Sequence, residues 1–370
     1  MTGGIFPLLR SSPPLGRQGN PMRIAVLLPN WVGDAVMATP SLGALRHQYP
    51  HATICGVMRP LIAETLSGCG FFDETIFYDR RSADVQAQFW PVSGRLRRFL
   101  PEMFISLTNS PRARLLQWLS SANETIGLKR RWYDRWLTTP VDIPSLRRHE
   151  PFSAVDTYRA LMVAAGCPPA DRVPRLATRP RDEIAADDAF RDLEIRPGEP
   201  VVALNTGSAN GPAKDWPTES FAELARRVQS QWGAFVLILC GPAEREKARQ
   251  VEAAARHPRI RSIGNRTLGI GLTKACIRRS RMVVTTDSGP RHIAAAFGIP
   301  AVSLFGPTDP RWSDNYHPRE IRVHLDLDCR PCARRRCPLR HHRCMRDLPV
   351  EMVFAAMERL GRSIGIREAA

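Results

Sequence analysis

The stretch TTDSGPRHIAAAFGIPAVSLFGPTDP (Thr285 to Pro310) contains the end of an apolar strand, a DSG turn, a helical pattern and a second apolar strand in immediate succession. Strand, helix and strand in this order form the repeating unit of parallel sheets, so the stretch predicts an α/β protein. In such folds, ligands bind at the carboxyl ends of the strands. The DSG turn is therefore predicted to line a binding site.

The same alternation of strand and helix extends upstream of this stretch. Strands are predicted at Val201 to Asn205, Phe235 to Cys240, Arg261 to Ile263 (an edge strand) and Met282 to Thr285. Near the start of the chain, Arg23 to Leu28 (RIAVLL) predicts another strand, and a helical pattern and a further strand follow it. The sequence thus predicts two doubly wound, Rossmann-like parallel-sheet domains that face a central ligand cleft.

Composition places the domain boundaries and sets the class of protein. A polar, proline-punctuated stretch up to about Pro200 separates the two alternating regions, which gives domains at 22–185 and 186–348. Residues 1–21 are expected to be a disordered extension or a misassigned start, and 349–370 a helix and tail. No sustained apolar run indicates a signal peptide or a membrane span, so a cytoplasmic location is expected.

The net charge narrows the type of ligand. The 370 residues include 53 Lys and Arg against 36 Asp and Glu, a formal charge of +17, which implies an anionic partner. The sequence contains no helix-turn-helix, zinc-finger or RNA-binding signature, so no nucleic-acid partner is expected. It also lacks a G-x-G-x-x-G fingerprint and a Walker loop, which argues against dehydrogenases and NTPases. Phosphorylated small molecules or lipids fit the charge better.

Two loops that follow the first strand of each domain contain candidate functional residues. In PNWVGDAVMATPSL, Asp34 is either a general base in the cleft or a cap of the next helix. In NTGSANGPAKDWP, Ser208 and Lys214 are candidates for binding phosphate oxygens, and the alternative is an ordinary basic loop.

The DSG turn itself suits a diphosphate. Ser288 and Gly289 begin a helix whose free N–H groups and positive dipole favour an anion. Asp287 then needs another partner, such as a sugar hydroxyl, and His292, one turn into the helix, either contacts the diphosphate or packs in the core. These residues together favour a sugar nucleotide as ligand.

A cysteine- and arginine-rich segment, 329–346, follows the second domain's last predicted strand. Its four cysteines have the spacing C-x2-C-x4-C-x6-C: Cys329, Cys332, Cys337 and Cys344. Four thiolates are able to hold a structural zinc ion, whereas the interleaved arginines equally suit free thiols at a surface that meets an anion.

Together these motifs resemble the ADP-heptose:lipopolysaccharide heptosyltransferases of glycosyltransferase family nine, over about Arg23 to Gly361. RIAVLLPNWVGDAVMATPSL, GPAKDWP and TTDSGPRHIAAAFGIPAVSLFGPTDP stand in that family's order and spacing. PNWVGD and GPAKDWP look most like the members that add the second inner-core heptose. The resemblance implies a GT-B fold with an N-terminal acceptor-binding domain and a C-terminal ADP-sugar-binding domain.

The resemblance also implies roles for single residues. Asp34 matches the catalytic base. The donor-site matches are Ser208, Lys214, Glu244, Asp287, Ser288, Gly289 and His292, with Glu246 as the alternative to Glu244. The implied reaction is an inverting transfer of heptose from ADP-heptose to a phosphorylated Kdo-lipid A acceptor, without a required metal and with peripheral contact at the inner membrane. Another nucleotide sugar, a later core acceptor and a non-catalytic anion- or nucleic-acid-binding protein are the alternatives.

Overall fold

The computed structural model describes residues 21–207 and 211–363 of the chain, which divide into two compact units. Within the described residues, the first unit runs to Pro174 and also includes Arg311–Asn315, and the second unit contains the rest. The predicted extension at 1–20 and the end of the predicted tail at 364–370 lie outside the described residues.

The first unit is built on a six-stranded parallel sheet with the strand order β3-β2-β1-β4-β5-β6. The strands are β1 Arg23–Leu27, β2 Thr53–Met58, β3 Glu74–Phe77, β4 Met103–Ser106, β5 Glu124–Leu128 and β6 Thr139–Val141. The helices are α1 Val32–Met37, α2 Thr39–Gln48, α3 Pro60–Leu66, α4 Phe89–Phe99, α5 Pro111–Leu119, α6 Pro144–Arg147 and α7 Ala154–Ala164, with 3-10 helices Val85–Ala87 and Trp132–Trp136.

The second unit repeats this design with the strand order β12-β11-β10-β7-β8-β9. Its strands are β7 Val201–Asn205, β8 Phe235–Leu239, β9 Ile260–Ser262, β10 Met282–Thr286, β11 Ala301–Leu304 and β12 Glu320–Val323. Its helices are α8 Pro180–Asp192, α9 Thr218–Trp232, α10 Arg245–Ala255, α11 Ile270–Arg279, α12 Gly289–Ala296, α13 Arg343–Arg346 and α14 Val350–Ser363, with 3-10 helices Pro212–Lys214 and Pro242–Glu244. A further 3-10 helix, Pro310–Ser313, begins at the last residue before the chain passes to Arg311–Asn315 of the first unit.

The predicted fold class, a doubly wound parallel α/β architecture in both halves, is confirmed. In each sheet the chain starts at a central strand, moves to one edge and then returns to the other side of that strand. Such a reversal opens a crevice at the carboxyl ends of two neighbouring strands, here β1 and β4 in the first unit and β7 and β10 in the second. The candidate functional residues are found near these two crevices.

Two elements of the second unit were not predicted from the sequence. α8 lies in the stretch that was interpreted as a linker, because its buried positions include Asp182, Ala186 and Ala189 and so give a weak apolar pattern. β12 was missed because its sequence, EIRV, contains a glutamate and an arginine. Both elements are stabilised by ion pairs with residues far away in the chain, which local sequence patterns do not reveal.

α8 also explains where the first unit ends. The sequence predicts a boundary between residues 185 and 186, whereas the division follows Pro174. Glu183 of α8 accepts hydrogen bonds from Arg278 at 3.0 Å and from Arg279 at 2.7 Å, and Asp187 accepts one from Arg279 at 2.6 Å. Because these arginines belong to α11, the whole of α8 packs with the second unit.

Among the helices within 21–207 and 211–363, none is long and apolar enough to cross a bilayer.

Candidate active site

A buried ion pair lies at the carboxyl end of the second sheet. The Nζ atom of Lys214 donates to Oδ2 of Asp287 at 2.6 Å and to its main-chain oxygen at 2.7 Å. Thr308 donates to the same Oδ2 at 2.8 Å, and Arg291 lies 3.5 Å from Oδ1. Burial would raise the pKa of Asp287, but Lys214 and Arg291 hold it well below its usual range. The charged carboxylate therefore fixes the position of the Lys214 ammonium.

The loop that carries Lys214 depends on Gly211 and on the cysteine-rich segment. Gly211 has φ 114°, a conformation that other residues rarely adopt, and a Cβ there would lie 2.7 Å from the main-chain oxygen of Arg335. That same oxygen accepts a hydrogen bond from the amide of Ala213 at 3.2 Å. Segment 329–346 thus supports the loop from behind.

Ser288 and Gly289 lie where the sequence predicts, at the N-terminus of α12. Ser288 is the N-cap residue, but its side chain makes no capping bond to the first turn. Its hydroxyl lies 3.3 Å from Nδ2 of Asn205 and 3.2 Å from the hydroxyl of Thr285. Asn205, which ends β7, was not singled out from the sequence. The first-turn amides of α12 therefore carry the positive end of the helix dipole.

His292 is buried, with 4% of its surface exposed. Burial and the neighbouring Arg291 lower the pKa of its imidazole to about 3. The ring is therefore neutral at physiological pH and carries no positive charge.

Sequence reasoning missed Arg291, which is fully buried in the middle of the predicted motif. Its guanidinium makes a two-pronged ion pair with Glu320, with Nε–Oε1 2.5 Å and Nη2–Oε2 2.9 Å. Ser303 also donates to Glu320 at 2.6 Å. Burial opposes ionisation, yet Arg291 and Ser303 lower the pKa of Glu320 to about 2. The partner lies on β12, a strand that the sequence did not predict, so no local signal identified the pair.

The structure places Glu244 and Glu246 differently. The carboxylate of Glu244 lies directly over Gly207, where an added Cβ would be only 1.9 Å from its Cδ atom, and it accepts a hydrogen bond from the amide of Gly241 at 2.8 Å. Glu246 lies in the first turn of α10, has 73% of its side chain exposed and accepts a hydrogen bond from Gln250. Only Glu244 therefore adjoins the loop after β7. Ser208, the remaining donor-site candidate, lies outside the described residues.

Asp34 lies in the first unit, in the first turn of the helix that follows the central strand β1. It is the third residue of α1, and the N-cap position belongs to Trp31, so Asp34 is not the helix cap. Asp34 is half-buried. Burial of Tyr158, together with the negative charge of Asp34, raises the pKa of the Tyr158 phenol well above its usual range. The phenol of Tyr158 therefore stays protonated beside the carboxylate.

The four clustered cysteines lie close to one another. Cys329, Cys332, Cys337 and Cys344 all line one cavity of about 20 Å³. Within the described residues, however, no group of three or more His, Cys, Asp or Glu side chains has an arrangement that would hold a metal ion. Backbone N–H groups, above all that of His342, lower the pKa of Cys337. Burial and the other three thiols raise that of Cys344.

Each of the two units has polar side chains at its sheet's switch point, and two such Rossmann-like units in one chain are the elements of a GT-B fold, the architecture of many glycosyltransferases. The model of the family described as glycosyltransferase family 9 (heptosyltransferase) matches residues 93–342. The chain belongs to glycosyltransferase family 9. The resemblance seen in the sequence is thereby confirmed, and the chain is assigned as a glycosyltransferase.

The alignments with known relatives cover almost the full chain. Lipooligosaccharide heptosyltransferase 2 of Campylobacter jejuni is 23% identical over 356 residues, which cover 92% of this chain and 99% of that protein. The structure of E. coli ADP-heptose LPS heptosyltransferase II matches with a TM-score of 0.76 at 21% identity, over 92% of this chain and 99% of that one. E. coli heptosyltransferase WaaC with ADP-2-deoxy-2-fluoro heptose matches with a TM-score of 0.65 at 17% identity, over 91% and 99%.

Proposed function

We propose that this protein is an inverting heptosyltransferase of lipopolysaccharide core biosynthesis. It transfers heptose from ADP-L-glycero-β-D-manno-heptose to the inner core, with heptosyl-Kdo2-lipid A as the acceptor. The observation that carries the proposal is the Lys214–Asp287 ion pair beside the N-terminus of α12. Relatives that are named heptosyltransferases, one of them solved with an ADP-heptose analogue, support the choice of donor.

The second unit binds the ADP moiety in this proposal. An ammonium group has three N–H donors, and Asp287 accepts two from Lys214, so the third is directed to a phosphate oxygen. The amides at Ser288 and Gly289 bind the other diphosphate oxygens, and His292 contributes a neutral hydrogen bond. Ser208 completes the phosphate contacts.

The ribose of ADP is held by Glu244. Its carboxylate already lies at the loop after β7, next to Gly207, whereas Glu246 is exposed and accepts a hydrogen bond from Gln250. A carboxylate at this position accepts hydrogen bonds from two ribose hydroxyls, as acidic residues do in other nucleotide-binding α/β folds.

The first unit supplies the base and binds the acceptor. Asp34 takes the proton from the acceptor hydroxyl while its oxygen forms a bond to the anomeric carbon of heptose. The bond from that carbon to the β-phosphate oxygen breaks, and the electron pair leaves on ADP, whose new charge is stabilised by Lys214 and α12. Attack from the face opposite ADP inverts the anomeric configuration.

The transfer step as proposed requires no metal, because a lysine and a helix N-terminus provide the positive charge at the leaving group. The cysteine-rich segment 329–346 takes no part in the chemistry. Its contact with the Lys214 loop gives it a supporting role instead. A structural zinc ion held by its four thiols stays the alternative.

The choice of acceptor rests on PNWVGD and GPAKDWP, which look most like the members that add the second heptose, and on relatives named heptosyltransferase 2. A later core position or another nucleotide sugar is the alternative within the same chemistry. The non-catalytic alternative is not favoured, because Asp34, Lys214 and Asp287 are all present.

The stereochemistry of the product tests this mechanism. The protein should convert ADP-L-glycero-β-D-manno-heptose and a heptosylated inner-core acceptor into ADP and a product whose new linkage is α by nuclear magnetic resonance. A β linkage would contradict a single displacement with Asp34 as base. ADP release without a new glycosidic bond would contradict the transfer itself.

A further inference from the structure

The segment Lys129–Trp136, with the sequence KRRWYDRW, presents an unusual surface on the first unit; we call it the basic aromatic segment. The indoles of Trp132 and Trp136 are 69% and 46% exposed. Four cations flank them, all exposed: Lys129, Arg130, Arg131 and Arg135. Large apolar side chains are seldom left exposed next to one another, and a patch of this kind marks an interaction site.

A buried ion pair holds the backbone of this segment in place. Asp134, inside the 3-10 helix, accepts a hydrogen bond from Nε of Arg114 at 2.7 Å, and both side chains are fully buried. Its other oxygen accepts from the amides of Arg130 and Arg131, each at 2.7 Å. Arg114 also donates to the main-chain oxygen of Leu128 at 3.0 Å. The segment is therefore anchored from inside while its aromatic and basic side chains face outward.

The exposed side chains are also arranged relative to one another. The rings of Trp132 and Trp136 meet edge to face with centroids 6.2 Å apart, and the Arg135 guanidinium lies 5.4 Å from the centroid of the Trp132 ring. Such contacts restrict the rotamers of both indoles, which lowers the entropy that is lost when they bind a partner.

We infer that the basic aromatic segment docks the protein on a bilayer surface that carries anionic headgroups. Indole rings prefer the headgroup region, where the apolar ring is shielded and the N–H stays hydrogen-bonded, and arginines there meet lipid phosphates. The inference deepens the proposed function, since the proposed acceptor is anchored in a membrane by lipid A. The docking itself is measured without any transfer reaction.

Vesicle binding by the full chain tests the inference. At ~0.1 M salt the protein should sediment with vesicles of phosphatidylethanolamine and ~30% phosphatidylglycerol but not with phosphatidylcholine vesicles, and higher salt should release it. W132A/W136A should bind at least ~10-fold more weakly and lose the blue shift of tryptophan emission. R130A/R131A should bind ~30-fold more weakly, since each basic side chain contributes about fivefold.

Matched variants distinguish docking from other effects. Trp90→Ala removes an indole that is 71% exposed on α4, and R181A/R191A removes two arginines whose side chains are 69% and 72% exposed on α8. Both controls should bind vesicles like the wild type, and W132A/W136A should keep the wild-type melting temperature and its turnover of a delipidated acceptor.

Three kinds of result would overturn the inference. The first is a vesicle assay in which the wild-type protein does not bind anionic vesicles at low salt, or in which W132A/W136A binds them as tightly as the wild type. The second is a loss of turnover with the delipidated acceptor in W132A/W136A, which would assign the segment to the acceptor sugar. The third is tight binding of RNA that the same variant loses, which would replace the lipid surface by nucleic acid. Failure of the proposed transferase reaction alone would leave vesicle binding intact, so the two proposals fail separately.

Discussion

The two units share one architecture but differ in the exposure of their tryptophans and of their candidate functional charges. The second unit buries its two tryptophans, Trp216 at 1% and Trp232 at 6% exposure. The first unit leaves six tryptophans at least 39% exposed: Trp31, Trp90, Trp118, Trp132, Trp136 and Trp312. Indole surface is thus buried in one unit and exposed in the other, which points to different kinds of ligand.

The charged residues of the two candidate sites also differ in burial. In the second unit, Lys214, Asp287, Arg291 and Glu320 form one buried network, all of whose members are already fixed by ion pairs. Charges fixed in a low-dielectric site stabilise a diphosphate without reorganisation. In the first unit, the candidate base Asp34 is only half-buried. The proposed function requires such a pair of sites, a rigid one for a small donor and an open one for a large amphiphilic acceptor.

The largest expected effect concerns the first unit. Asp34→Asn removes the proposed base without altering the second unit, so turnover should fall ~10³-fold while the affinity for ADP stays unchanged. Steady-state kinetics and calorimetric titration with ADP measure the two quantities. Asp84→Asn, at an exposed carboxylate of the same unit, is the control and should behave as the wild type. An equal loss of ADP binding in Asp34→Asn would contradict the division of roles.

The buried pair of the second unit should dominate its stability. Glu320→Gln removes the close, two-pronged partner of Arg291 and leaves only the more distant carboxylate of Asp287, so it should lower the free energy of unfolding by ~3 kcal/mol. Glu246→Gln, at a side chain that is 73% exposed, should change it by less than ~0.5 kcal/mol. Denaturant unfolding measures both. Equal effects in the two variants would mean that the network does not stabilise the unit.

Acid should remove the stabilisation of the folded state that Glu320 provides. Its pKa is lowered from an ordinary value of 4.5 to about 2, so folding favours the ionised form. The resulting stability is fully present above pH 4.5 and is lost as the pH falls toward 2. The difference in melting temperature between wild type and Glu320→Gln should therefore be constant from pH 7 to 5 and shrink below pH 4. A difference that grows on acidification would have the wrong sign.

Lys214 should matter for binding of the donor. Lys214→Met should weaken ADP binding ~30-fold, because a charge-assisted contact to the diphosphate is lost. If Asp287 serves mainly to position Lys214, the double variant K214M/D287N should bind ADP no more weakly than K214M alone. Lys247→Met, whose ammonium pairs with Asp215 instead, is the control. Unchanged ADP affinity in K214M would remove Lys214 from the site.

The smallest expected effect concerns the cysteine-rich segment. Cys337 has a lowered pKa, whereas Cys344 is buried and has a raised one, so iodoacetamide should modify Cys337 at least ~10-fold faster. Peptide mapping by mass spectrometry measures both rates. Stoichiometric zinc in protein purified without added metal, with both thiols protected, would contradict free thiols and favour the zinc alternative.

Local sequence patterns predicted those parts of the fold that bury continuous apolar runs. β1, β7, β8 and β10 were found because both faces of a central parallel strand are covered and read as apolar. β12 and α8 were missed because their inward positions include charged residues that pair with distant partners, such as Glu320 with Arg291. Periodicity cannot reveal an ion pair between separate elements.

The sequence likewise predicted some parts of the candidate site and missed others. The loop motifs located Asp34, Lys214 and the DSG turn, because strand-to-helix loops lie at the carboxyl edge of a parallel sheet. The sequence did not predict that Lys214 and Asp287 would pair, since 73 positions separate them. The basic aromatic segment was also missed, because its exposure depends on a buried contact of Asp134 with Arg114 that no spacing rule predicts.

The most direct test of the account is a mass-spectrometric transfer assay with ADP-heptose and two acceptors, Kdo-lipid A with and without one heptose already attached. The account predicts the addition of one heptose to the heptosylated acceptor alone, with release of ADP. Addition to the bare acceptor alone would assign the first transfer instead. No product with either acceptor, from protein that binds ADP, would contradict the proposed heptosyl transfer to the inner core.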